Sequence, residues 1–202
     1  MNINLFVTLL SMLFVLGEVQ AQKISQKGNL SALKDAGKIQ LVYDYDKMRV
    51  GKYVNEEEYI KERVAQRNQK EPGGGDKWKA AWYDDRERRF EPKFDELFNK
   101  YVQKYGLEAG KDYTDAPVKA IVRTTFTEPG FNVGVVRRSA SIDAVIIFVD
   151  NKTGKELGKL TALKVPGKDA MGYDFDTGVR IQEAYALLGK ATGKYLAKKV
   201  LK

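Results

Sequence analysis

The chain has no cysteine and no histidine among its 202 residues, and it holds only two tryptophans and five prolines. Without cysteine there is no disulfide, no thiolate nucleophile and no sulfur-ligated zinc. Without histidine, the Ser-His-Asp and Cys-His nucleophile systems fall away, together with the usual transition-metal ligand and the ordinary general base near neutral pH. The catalytic chemistry that survives is limited to carboxylate pairs, lysine or tyrosine bases and oxygen-ligated metals.

Long hydrophobic runs are scarce too. The longest is Leu5 to Leu16, twelve uncharged residues followed by a polar stretch ending Val19-Gln20-Ala21. That run is shorter than the roughly 20 apolar residues a spanning helix needs, and its small-residue ending fits a cleavable signal peptide over residues 1–21. No lysine or arginine precedes the apolar run, so the amino terminus alone supplies positive charge there. No cysteine follows it to take a lipid, so the expected product is exported to the periplasm or the exterior without a lipid anchor. Cleavage would remove a single charged side chain, Glu18.

Acidic residues are the minority: 27 Asp and Glu face 35 Lys and Arg, a formal charge of +8. A balance of this sign favours anionic partners such as phosphorylated polysaccharide, lipid headgroups or nucleic acid. The two signs are interleaved along most of the chain, the pattern of a solvated basic surface.

Beyond the signal the chain reads as a lead-in segment, 22–37, loosely tied to a single domain, 38–202. Ile39 to Tyr45 has the short apolar run of a strand. Asn55 is placed to cap a helix whose first turn is Glu56-Glu57-Glu58 and which Pro72 and the following glycines stop. Asp76 is placed to cap a second helix carrying Trp78, Ala81 and Trp82, and Phe94, Leu97, Phe98 and Tyr101 fall at helical spacing in a third run, Lys93 to Lys104. The Glu91-Pro92 step admits either one kinked helix or two.

The second half alternates with a period of two. Val118, Ala120, Val122 and Phe126 are expected on one face of a strand, with Lys119, Arg123 and Thr127 among the more polar intervening positions of a solvated face. Val133 to Ile142 leads into Asp143 to Val149, whose Ala144-Val145-Ile146-Ile147-Phe148-Val149 is apolar on both faces and belongs in mid-sheet. A turn at Asp150 to Gly154 returns the chain as Leu157 to Val165. A last helix, Asp176 to Lys199, has an apolar stripe at Ile181, Ala184, Leu188, Ala191 and Tyr195, with Gly189 and Gly193 permitting close approach. The fold class is a layered α/β domain with a mixed, largely antiparallel sheet covered by helices.

No motif reaches a catalytic signature. Gly73-Gly74-Gly75 lies between helices and lacks the preceding strand of a nucleotide site, so a flexible linker is the better reading; Gly189-Lys190 and Gly193-Lys194 have the wrong spacing for a P-loop. No cofactor and no metal site is therefore expected. Asp143, Asp174 and Asp176 are the carboxylates for an alternative, a glycan hydrolase, while capping of the last helix by Asp176 explains that residue more simply. The one aromatic and basic concentration is Trp78, Trp82 and Tyr83 with Lys77, Lys79, Arg86, Arg88 and Arg89, where rings beside cations suit an anionic glycan or an envelope protein; nucleic acid fits an exported chain less well. A packed aromatic face with a solvated basic one accounts for the same residues equally.

Thr127-Glu128-Pro129-Gly130-Phe131, the strand ending Val149-Asp150 with its Thr153-Gly154-Lys155 turn, and the closing Arg180-Ile181, Ala184-Tyr185 and Gly189-Lys190 helix resemble a group of exported Bacteroidetes-type proteins of uncharacterised function. These are distantly similar to the periplasmic domain of curli-secretion and related envelope lipoproteins. The resemblance covers under half the chain. It implies a three-layer α/β domain that works by protein or envelope contact, in a Gram-negative periplasm or at its outer membrane. The expectation is thus a non-enzymatic binding or accessory module in cell-envelope assembly, meeting its partners through sheet edges and the basic aromatic segment.

Overall fold

The computed structural model describes residues 23–133, 136–167 and 176–202; the signal peptide expected over 1–21 and the acidic residues Asp169 and Asp174 lie outside them. Nine strands and four helices follow one another: β1 (Ile24–Gly28), β2 (Lys38–Asp44), β3 (Arg49–Val50), α1 (Glu56–Lys70), α2 (Gly74–Asp85), α3 (Glu91–Val102), β4 (Glu108–Gly110), β5 (Val118–Glu128), β6 (Phe131–Val133), β7 (Val136–Arg138), β8 (Ser141–Asp150), β9 (Glu156–Pro166) and α4 (Thr177–Lys199). Seven strands form one mixed sheet in the order β1-β9-β8-β5-β2-β4, with β3 beside β5, and β6 and β7 make a separate hairpin. The pairs β1–β9, β9–β8 and β8–β5 are antiparallel, whereas β2 runs parallel to β5 and β4. Strand β8 lies mid-sheet, as its two apolar faces require.

Every second residue of the central strands is buried: Ile39 and Leu41, Val118, Ala120 and Val122, Ala144, Ile146 and Phe148, Leu160 and Ala162. These meet Phe90, Phe94, Phe98, Ile181, Ala184, Tyr185 and Leu188 from the helices to form one core. Residues of the opposite parity, among them Val42, Ile121, Val145 and Ile147, are only half-buried. The helices therefore cover one face of the sheet, and the described residues build two layers where the family resemblance implied three.

Helix α1 starts as its sequence requires, with the Asn55 side chain accepting from the Glu58 amide at 2.8 Å. Helix α2 begins earlier than expected. Gly73, at φ +79, precedes it, Asn68 Oδ1 takes the Gly75 amide at 2.7 Å, and Asp76 sits in the first turn instead of capping it. Nor is the glycine triplet a loose linker: a Cβ on Gly75 would lie 2.4 Å from the Val64 carbonyl oxygen, so glycine is what lets α2 turn back against α1.

The Glu91-Pro92 step does not break the helix. Helices α2 and α3 run on through a single π turn, Arg86–Phe90, closed by the Glu91 amide on the Arg86 carbonyl. Proline cannot donate to the carbonyl four residues back and its ring crowds that carbonyl; the wider turn relieves both problems and keeps the chain helical. On α4 the buried stripe follows Ile181, Ala184 and Leu188 and then passes to Thr192 and Leu196 instead of Ala191 and Tyr195. The cause is contact with α3: Cβ atoms on Gly189 and Gly193 would lie 2.4 and 2.7 Å from the carbonyl oxygens of Phe94 and Phe98.

Two further expectations change. Part of the lead-in, Ile24–Gly28, pairs along β9, and Leu30 and Leu33 behind it are buried, because the β9 edge offers open hydrogen-bonding groups and the two leucines continue the core. A bulge between Thr124 and Phe126 also reverses the parity of β5, so Thr124 and Thr127 are buried while Phe126 turns to the outer face beside Arg49.

Candidate functional site

The aromatic and basic residues singled out in the sequence do converge, at the corner where α1, α2 and the π turn meet the end of β2. Trp82 is buried, its indole N–H donates to Glu56 Oε1 at 2.6 Å, and its ring packs on Tyr59 and Trp78 at 5.1 and 5.6 Å between centroids. Arg86 binds both Glu56 oxygens and lies 4.2 Å over the Tyr45 ring and 4.9 Å over that of Tyr83. Arg88 pairs with Asp84 at 2.7 Å; Arg89 pairs with Asp85 at 3.0 Å and with Asp176 at 2.9 Å. Of the six residues Tyr83 shows the most open ring, at 39% exposure. Each of the three arginines has an internal carboxylate partner, and Lys77 comes only within 4.0 Å of Glu71. Beside Tyr83 a shallow groove of about 390 Å³ runs between α1 and α2, with Ile60 and Val64 in its floor.

Behind this corner lies a polar network within the helix–sheet interface. Tyr43 donates to the Asp95 carboxylate and its hydroxyl is 3.2 Å from the Glu91 carbonyl; Tyr45 bonds Glu91 Oε1 at 3.3 Å, and Lys111 reaches Glu91 Oε2 at 2.8 Å. Tyr185 and Thr124 share a hydrogen bond of 2.6 Å. Burial raises the pKa of Tyr43 and Tyr45 far above the usual phenol value, and that of Tyr185 to about 12. Burial, reinforced by the neighbouring Glu91 charge, lifts Asp95 to about 6 against the opposing Tyr43 hydrogen bond. These phenols stay protonated at ordinary pH, and the cluster serves to satisfy polar groups placed between layers.

The acidic candidates are engaged as well. Asp176 caps α4 as expected, its Oδ1 accepting from the Gly178 amide at 2.7 Å and its Oδ2 from Arg89. Burial would raise its pKa, but the Arg89 and backbone hydrogen bonds outweigh that and hold it low. Asp143 Oδ1, near the start of β8, accepts the Lys164 amide of β9 at 2.6 Å. Among the described residues no group of three acidic side chains is placed to hold a metal ion, and no helix is long and apolar enough to cross a membrane.

The surface with free binding capacity is the outer face of the sheet. In register across it, Val42, Ile121 and Ile147 run on into Lys159 and Lys27, and the next row on one side is Asp44, Arg123, Val145 and Thr161. On the other side Gln40 and Lys119 lead to Val149. Val145, Ile147 and Val149 thus make an apolar line along β8, widened by Ile121 and Val42 and bordered by Lys27, Lys119, Lys159 and Arg123. Of these four cations only Arg123 is ion-paired among the described residues, to Asp44 at 2.6 Å. The alternation of β5 had already placed Lys119 and Arg123 outward, and the Asp150 to Gly154 turn brings β9 with Lys159 back along β8; that β1 would set Lys27 beyond it depends on strand order, for which the sequence carries no signal.

The class these features define is a two-layer α/β domain with an open, apolar-and-basic sheet face. No protein-family model matches the chain, and no curated protein does. Among solved structures it is similar to the PelC dodecamer from Paraburkholderia phytofirmans, at 7% identity and a TM-score of 0.39, covering 84% of this chain and 96% of that one. A leucine-to-methionine variant of that dodecamer aligns at 8% identity and a TM-score of 0.35, over 85% and 99% of the two chains. Likenesses this distant transfer no role.

Proposed function

We propose that this chain is an exported, non-enzymatic binding module that acts in the cell envelope by contact, through the outer face of its sheet. The observation that carries the reading is a contrast of occupancy. Arg86, Arg88 and Arg89 of the aromatic corner and the carboxylates Asp143 and Asp176 are committed to intramolecular partners, whereas the outer face carries three lysines that are unpaired among the described residues, around half-buried valine and isoleucine. A continuous apolar patch rimmed by polar residues is the usual mark of an interaction site. The apolar run at Leu5 to Leu16 and the resemblance to exported envelope proteins support the address.

Amine-reactive crosslinking of the tagged protein in its own cells, read by mass spectrometry, tests this. Crosslinks to a partner are expected at Lys27, Lys119 and Lys159. Crosslinks confined to Lys77 and Lys79 would move the site to the aromatic corner, and turnover of a glycan by the purified protein would overturn the non-enzymatic reading.

A further inference from the structure

Resting on that reading, we infer that the outer sheet face receives an amphipathic helix of a partner protein whose apolar stripe is flanked by carboxylates. The shape of the patch comes first. Along β8, Val145 to Val149 extends over about 14 Å, roughly two and a half turns of helix. Ile121 and Val42 broaden this line in register across β5 and β2. The sheet's opposite face, apolar along the same strand at Ala144, Ile146 and Phe148, is covered by α3 and α4, so a helix is the element this sheet packs against.

Charge fixes the rest. Lys159 and Lys27 stand on one side of the apolar line, Lys119 and Arg123 on the other, and their side chains reach farther than valine or isoleucine. The floor is therefore apolar with a lysine on either side that has no ion pair among the described residues, Lys159 on β9 and Lys119 on β5, although Asp44 and Glu156 also border it. A rod with an apolar stripe fills such a channel, and acidic residues flanking the stripe meet the cations without leaving them unpaired. A flat anionic membrane meets the lysines and leaves the floor unfilled. A second copy of this chain, docked face to face, would set the same cations against one another.

The probe is a synthetic helical peptide of about 18 residues with leucines along one face and glutamates beside them. It is compared with the same design carrying lysines in place of the glutamates, with polyglutamate, and with vesicles containing anionic phospholipid. Binding to the 22–202 chain is measured by calorimetry. The acidic peptide should bind in the micromolar range, more weakly as salt is raised, and Lys119→Glu with Lys159→Glu should lower its affinity about tenfold or more. Lys61→Glu with Lys79→Glu, on the α1–α2 groove, should leave it unchanged, and circular dichroism confirms the fold of each variant. Equal binding of the basic peptide, no binding of the acidic one, or equally tight binding of polyglutamate or vesicles overturns the inference. In those cases crosslinks at Lys119 and Lys159 would still uphold the contact surface, so the two readings fail separately.

Discussion

The side-chain amide of Asn99 pairs with both backbone groups of Ala109, donating to its carbonyl and accepting from its amide at 2.8 Å each. Ala109 lies in β4, the last strand of the sheet on that side, so an asparagine on α3 takes the place of a further strand. An uncovered edge is a template for pairing with another chain, and this contact closes it. Asn99→Leu should cost about 1–3 kcal/mol, since it leaves two backbone groups unpaired. Urea unfolding measures that loss, and light scattering should show association through the freed edge; an unchanged midpoint would mean water satisfies Ala109 equally well.

Helix α4 can approach α3 only because Gly189 and Gly193 lack side chains. Gly189→Ala should destabilise by about 2 kcal/mol or more, as its methyl meets backbone that cannot move aside. Gly74→Ala is the matched control: the added carbon finds its nearest neighbour at 3.4 Å in ordinary contact. There the variant should be neutral or more stable by up to about 1 kcal/mol, through the lower entropy of its unfolded chain. Thermal unfolding of the two variants separates steric from entropic effects.

Asp95 carries a pH dependence with a definite sign. Its carboxyl titrates at about 6 in the folded protein, against 3.8 as the reference, because burial beside Glu91 disfavours the charge. The folded state therefore holds this proton more tightly. The associated stability is complete below the unfolded pKa and is lost as pH rises through about 6. Asp95→Asn keeps an acceptor for Tyr43 and removes the charge, so it should be more stable than the native protein at pH ~8 by roughly 1 kcal/mol and indistinguishable at pH ~4. Denaturation at both values tests this, and a gain at low pH only would contradict it.

Glu56 holds the Trp82 indole and the Arg86 guanidinium at a site largely closed to water. Glu56→Gln leaves a buried cation without its counter-ion and should cost about 3 kcal/mol, whereas Glu56→Leu with Arg86→Met should restore at least half of the loss. Trp82 fluorescence and urea midpoints measure both. If the double variant is no better than the single one, the pair contributes more than it costs to bury.

Much of the architecture was legible along the chain. Asn55 and Asp176 announce helix starts because a short polar side chain can take amides that the first turn leaves free. Val145 to Val149, apolar on both parities, could only be mid-sheet, and Gly189 and Gly193 in an otherwise apolar helix could only be a close crossing. The candidate surface was legible in halves: β5 showed Lys119 and Arg123 outward, and β8 showed surplus valine and isoleucine, but apart from β9, which the turn returns beside β8, their neighbours across the sheet come from distant parts of the chain.

What the sequence determined by itself is local: hydrophobic period, helix caps, the Asp150 to Gly154 turn, and the chemistry excluded by having neither cysteine nor histidine. The tertiary structure decided the rest. It set Lys27 of β1 beyond Lys159 beside the apolar line of β8, turned Phe126 outward through one bulged residue, and engaged Arg86, Arg88 and Arg89 in ion pairs that include partners as distant as Glu56 and Asp176. Period and propensity act over a few residues, whereas strand order and ion pairing depend on which distant segments the core brings together, and no local pattern encodes that choice.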